Sequence, residues 1–210
     1  MRFSEGRGVP ANLDEAAHWY ELAASKGLTP AQFRYASMLE KGQGVKKDLE
    51  SARKLYVAAA SKGHAKAMHN LAVLYAEGID GKPDYASAAQ WFRKAAEHGV
   101  ADSQYNLGVL AARGIGMDRN IAESYKWFAL AAAQGDKDAG RKRDEVGTQL
   151  DAQTLAATQQ AVKGYTAQTQ PAEAIAIPEP PGGWDRTPPS PEKPRAGAPL
   201  PIGAFNSGKL

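Results

Sequence analysis

With 210 residues the chain can hold one or two domains, and with no cysteine it can form no disulfide, thiolate metal site or cysteine nucleophile. Charged residues make up 23% and aromatics 8%, which suits an all-α protein with a small-residue core better than a β sandwich. The formal net charge of +3 is spread thinly, with 17 Lys+Arg against 14 Asp+Glu in residues 1–135 and balance after that, so no basic stripe of the kind phosphate binding needs is present.

Shifted by 36 residues, the sequence falls onto itself. Trp19, Leu55, Trp91 and Trp127 share one column; Tyr20, Tyr56, Phe92 and Phe128 share the next. The pairs Ala23-Ala24, Ala59-Ala60, Ala95-Ala96 and Ala131-Ala132 recur in step, as do Gly6, Gly42, Gly78 and Gly114. Four units end near Gly27, Gly63, Gly99 and Gly135 with no insertion between them.

Taken from the N-terminus, unit one is short. Met1 aligns with Ser37, Val73 and Val109, midway along a first helix, which leaves the face near Trp19 uncovered and reads as a fragment of a longer protein. Met1-Arg2-Phe3-Ser4-Glu5-Gly6 has none of the apolar character of a signal peptide.

Unit two shows the full pattern. A first helix, A, runs from about Pro30 to Lys41, and Gly42-Gln43-Gly44-Val45 stops it, because glycine takes a left-handed φ at little cost. A second helix, B, starts at Asp48, whose carboxylate can accept from free backbone N–H groups. Ala52, Leu55, Tyr56, Ala59 and Ala60 then form one apolar stripe. The B helices are expected near 12–26, 48–62, 84–98 and 120–134. Unit three departs at its loop: Gly78-Ile79-Asp80-Gly81 slides the second glycine by one, which predicts a locally different turn.

After Gly135 the pattern fades. Residues 137–147, with Arg141-Lys142-Arg143-Asp144-Glu145, read as a polar capping helix with a solvated, self-cancelling charge run. A further helix is expected from about Asp151 to Tyr165, with Leu155, Ala156, Gln159 and Val162 on its packed face. From Pro171 on, ten prolines fall in forty residues, the composition of a disordered tail in which Trp184 is the odd residue. The expected organisation is thus a repeat solenoid over 1–147, a helix over 148–166 and a proline-rich tail over 167–210.

The motif Leu107-Gly108, Gly114-Ile115-Gly116, Asn120, Trp127-Phe128, Ala131-Ala132, Gly135 resembles the Sel1-like repeat family, relatives of tetratricopeptide repeats. The resemblance covers about residues 1–147 and implies a right-handed α-α superhelix whose concave face is lined by A helices. Two short segments, Leu150–Ala157 and Pro181-Gly182-Gly183-Trp184-Asp185, resemble the C-terminal end of PodJ-type polar localisation factors of alphaproteobacteria. That second resemblance implies a periplasmic repeat region, tied to peptidoglycan, of a longer membrane-anchored chain.

Signs of chemistry are few. His18, His64, His69 and His98 form no His-x3-His pair, so no metal site is expected. There is no Gly-x-Ser-x-Gly, no P-loop and no phosphate-binding turn after a strand, so neither a catalytic residue nor a cofactor is assigned. No apolar run approaches a membrane span, the longest being Trp127 to Ala133. One constellation stands out on the A helices. Phe33, His69 and Tyr105 share a repeat position, and Asn70 and Asn106 follow two of them. In related superhelices these positions face the groove, where flat rings and amide groups could hold an extended peptide or a glycan. The expected function is a non-enzymatic scaffold for a protein or peptidoglycan partner, with no nucleic acid. The alternatives are a periplasmic regulator of a sensor kinase and a protein associated with cell-wall hydrolysis.

Overall fold

The computed structural model describes residues 12–79 and 81–177. Trp184 and most of the proline-rich tail, the half helix expected at the N-terminus, and Asp80 lie outside the described residues.

The array is all-helical. Four B helices, α1 (Leu13–Ser25), α3 (Leu49–Ser61), α5 (Tyr85–Glu97) and α7 (Ile121–Ala133), alternate with the A helices α2 (Thr29–Lys41), α4 (Ala65–Glu77) and α6 (Ala101–Arg113). Helices α8 (Lys137–Gly147), α9 (Ala152–Lys163) and the single turn α10 (Ala172–Ile175) follow. From α1 to α8, each helix packs on the next in sequence. This alternation sends every B-to-A turn to one edge of the array and every A-to-B loop to the other.

The boundaries follow from local chemistry. Asn12, Asp48, Asp84 and Asn120, all at one repeat position, accept backbone N–H bonds from the first turns of α1, α3, α5 and α7. The Ser51 amide and hydroxyl hold the Asp48 carboxyl below its ordinary range; the Ser87 hydroxyl and amide do the same to Asp84. Gly42 and Gly114 end α2 and α6 in the left-handed conformation. Gly44, φ +66°, passes so near α1 that an added Cβ would stand 2.1 Å from the Leu13 carbonyl oxygen. Unit three differs as its sequence predicts. Gly78 has φ 81° and ψ 117°, outside the left-handed helical region, and the second positive φ of the loop falls on Gly81.

The core is built from small residues plugged by rings. Ala52, Ala59, Ala60, Ala88, Ala95, Ala96 and Ala131 are buried, which lets the helices approach closely; Tyr56, Phe92 and Phe128 fill the wider gaps. In the Trp/Leu column, Trp127 is buried, whereas Leu55 and Trp91 are half-buried between units. In α8, Ala139 and Val146 are buried, and its charges pair locally and stay in solvent, as Arg141 with Asp138 and Lys142 with Glu145.

Helix α9 packs on α7, as the apolar stripe implies, through Leu155 and Val162. Its buried residue is Thr158, however, whereas Ala156 is exposed. The packed face is centred on Leu155, Thr158 and Val162, and Gln159 is exposed like Ala156; Thr158 can take the buried place because its hydroxyl donates to the Thr154 carbonyl at 2.8 Å. The tail expected from residue 167 does not begin there either. Residues 165–175 run back across the array and end in α10, which packs on α2.

Candidate functional site

The five residues singled out on the A helices are half-buried, at three successive units. Their rings do not stand free. Phe33 lies 6.0 Å from Tyr56, His69 lies 5.7 Å from Phe92 and Tyr105 lies 5.5 Å from Phe128, ring centre to ring centre. Each therefore packs on the aromatic column of its own unit's B helix, and Phe33 also stacks on His64 at 4.5 Å. His69 Nδ1 meets the Ser103 hydroxyl of α6 at 2.7 Å, so it joins neighbouring A helices. Burial pushes the His69 imidazole below the ordinary histidine range, against the opposing pull of Asp102 and Glu40, and keeps it neutral near pH 7.

Asn70 is structural as well as superficial. Its Nδ2 donates to the Tyr56 hydroxyl at 2.8 Å, and that hydroxyl donates to Glu40 Oε2 at 2.6 Å. Burial, together with Glu40, raises the Tyr56 hydroxyl well above its ordinary value, so it remains a donor. The triad exists in unit two alone of the fully described units, because Phe92 and Phe128 carry no hydroxyl. The structure thus brings His69, Asn70, Tyr105 and Asn106 onto adjacent helices with their outer edges exposed, and it holds His69 and Asn70 by hydrogen bonds.

Two shallow clefts accompany the A-to-B edge. One, of about 220 Å³, is lined by Glu50, Arg53, Tyr75, Gly78, Lys82 and Asp84 and follows from the displaced unit-three glycine. The other, also about 220 Å³, lies between α6, α7 and α8 beside Phe128 and Arg119. Both are below the usual range of small-molecule pockets. No group of three His, Asp or Glu side chains among the described residues is placed to hold a metal ion.

Sequence reasoning missed the opposite edge. There the last turns of B helices and the first turns of A helices leave backbone groups without helical partners. The segment after α9 meets them. The Tyr165 hydroxyl lies 2.9 Å from the carbonyl oxygens of both Ala96 and Glu97. The Gln168 amide donates to Glu97 O at 2.8 Å, and the Gln168 carbonyl accepts from His98 Nδ1 at 3.1 Å. One unit back, Gln170 Oε1 accepts from the Ala65 amide at 2.8 Å and thereby caps α4. Side chains alone gave no signal for this, since Gln168 and Gln170 sit in a proline-bearing stretch without periodicity.

A family model described as Sel1 repeat matches residues 1–28, 29–64, 65–100 and 101–136, the same phase as the helix pairs. The chain belongs to the Sel1 repeat family. Among solved structures, this Sel1 repeat chain is similar to c5321, described as a protective antigen present in uropathogenic Escherichia coli strains and displaying an SLR fold. The two share 28% identity with a TM-score of 0.66, over 77% of this chain and 36% of that one, so the match spans about a third of the Escherichia coli protein. It is also similar to a Sel1 repeat protein from Oxalobacter formigenes, at 29% identity and a TM-score of 0.65, over 79% of this chain and 70% of that one. No curated protein matches. The molecule is therefore a Sel1 repeat helical scaffold, and no helix among its described residues is long and apolar enough to cross a membrane.

Proposed function

We propose that this chain is a non-enzymatic interaction scaffold that binds a protein or peptidoglycan partner through the row formed by Phe33, His69, Asn70, Tyr105 and Asn106. The supporting observation is the pre-organisation of that row. His69 is fixed by Ser103 and Phe92, and Asn70 by Tyr56, while their outer edges stay accessible. Side chains held in one rotamer lose little entropy on binding, which is how a shallow surface reaches useful affinity. Periplasmic placement, and a part in cell-pole or envelope organisation, rest on the resemblance of Leu150–Ala157 and Pro181–Asp185 to PodJ-type factors.

The test is capture of envelope proteins and isolated peptidoglycan by the full chain, with His69→Ala plus Asn106→Ala as the groove variant and exposed Lys54→Ala as the control. Loss of a captured partner with the groove variant, and retention with the control, is expected. Equal capture by all three chains would remove the reading.

A further inference from the structure

The edge of B-to-A turns recurs every 36 residues: Lys26-Gly27-Leu28, Lys62-Gly63-His64, His98-Gly99-Val100 and Gln134-Gly135-Asp136. Each turn presents a B-helix carbonyl end beside an A-helix amide end, both short of helical partners. Two of these turns are engaged by residues 165–171, which form no regular element. The contacts are mostly to backbone: Ala96 O and Glu97 O accept, and the Ala65 amide donates. The turn glycines make the approach possible. A Cβ at Gly63 would stand 2.6 Å from Pro171 Cδ, and one at Gly99 would stand 3.1 Å from the Ala167 Cβ. The segment continues to the next unit, where Ala174 is buried and α10 lies on α2.

We propose that this turn edge is a peptide-docking track, distinct from the A-helix row, and that residues 165–175 occupy it in cis as a displaceable copy of its natural partner. The partner that fits is an extended segment bearing proline, with side-chain amides two residues apart and an aromatic hydroxyl upstream, in the pattern of Tyr165, Gln168, Gln170 and Pro171. Recognition through helix-end backbone groups asks for an extended chain; the glycine turns admit the proline ring; the amides set the register.

The track also records where the resident segment fits poorly. Gln104, at the third turn, is fully satisfied: its Nε2 donates to Ala96 O and its Oε1 accepts from Gln134. Gln32 holds the same repeat position in α2, the helix on which α10 lies, and is 92% buried, yet its Oε1 has no hydrogen-bond partner among the described residues. A partner that brings a donor to that acceptor would gain a bond the resident segment does not make.

The experiment uses the full chain and a fluorescent peptide of residues 163–177 added in trans. In the wild-type chain the resident segment competes at the high effective concentration of a tethered ligand, so the peptide should bind weakly. Gln168→Ala plus Gln170→Ala in the chain removes the two side-chain contacts of these residues, Gln170 Oε1 with the Ala65 amide and Gln168 Nε2 with Glu97 Oε2, and should tighten peptide binding by roughly ten-fold. The backbone contacts of Gln168 survive in principle, so Tyr165→Phe, which deletes one hydroxyl and keeps the ring, is the second variant and should shift affinity in the same direction by several-fold. Affinity that does not change between wild type and either variant, or equal binding of a scrambled peptide, would overturn the track. Because the probe is the chain's own segment, failure here leaves the A-helix row proposal intact, and failure of partner capture at that row leaves the track intact.

Discussion

Gly116, in the loop after α6, lies against the start of α5: a Cβ there would fall 2.1 Å from the Tyr85 carbonyl oxygen. It does for units three and four what Gly44 does for units one and two. With φ at +69°, the position excludes other residues twice, by backbone conformation and by collision with main chain that cannot step aside. Gly116→Ala should therefore lower stability by at least the ~1–3 kcal/mol of an unfavourable backbone conformation, with the collision added. Gly135→Ala is the comparison: φ there is +99°, but nothing lies within 4 Å of an added Cβ. Urea melts should rank Gly116→Ala clearly below Gly135→Ala. Equal midpoints would mean that the loop yields and that the contact between units is soft.

His64 makes stability depend on pH. It is buried, stacks on Phe33, and uses Nδ1 to accept from the Ala67 amide at 3.1 Å, a bond that the protonated ring cannot make. Burial lowers its pKa, and the cations Lys66 and Arg34 lower it further. A histidine depressed in the folded state contributes stability that is complete above its unfolded value, about 6.5. The contribution is lost as pH falls below that value toward the folded one. Urea midpoints should drop between about pH 7 and pH 5. His64→Asn keeps a neutral cap and should flatten the drop, although His69, also depressed by burial, retains its share in both chains.

Gln32→Met tests the orphan acceptor. Unit three carries Met68 at the same repeat position and buries it without polar cost. Removing a buried acceptor that lacks a partner relieves a penalty of about 1–3 kcal/mol, partly offset by altered packing. The expected result is a melting temperature equal to the wild type or higher. A fall of several degrees would show that the Gln32 side chain makes bonds essential to the fold.

Asn70 and Asn106 share a repeat position and should behave differently. Asn70→Ala deprives the buried Tyr56 hydroxyl of a donor and should cost about 0.5–1.5 kcal/mol. For Asn106 the residue equivalent to Tyr56 is Phe92, which has no hydroxyl, and its replacement should move the midpoint by a few tenths of a kcal/mol at most. Paired chemical melts at pH 7.5 decide this. A larger loss at Asn106 than at Asn70 would reverse the assignment of which amide supports the fold.

These contrasts mark what could be read from sequence. The caps Asp48, Asp84 and Asn120, the glycine stops and the alanine columns act within a few residues, and repetition displayed each of them four times. The altered turn of unit three was legible because one glycine had visibly moved. The partners of His69 and Asn70 were not, because a repeat column shows that a position is special without showing which neighbouring helix satisfies it. The docking of Gln168 and Gln170 was hidden for a different reason: its other half is backbone, which every sequence possesses and none advertises.

A stacked array normally couples each unit to its neighbours alone, so its ends can open while its middle stays closed. The link from Ala65 to Gln170 joins residues 105 apart in sequence. Closing it ties the fate of unit three to that of the helices after unit four. An otherwise one-dimensional molecule thereby gains a crosswise restraint, and opening at either terminus is felt across several units. Release of the segment would return the array to piecewise melting, so whatever displaces it also changes how cooperatively the whole protein comes apart.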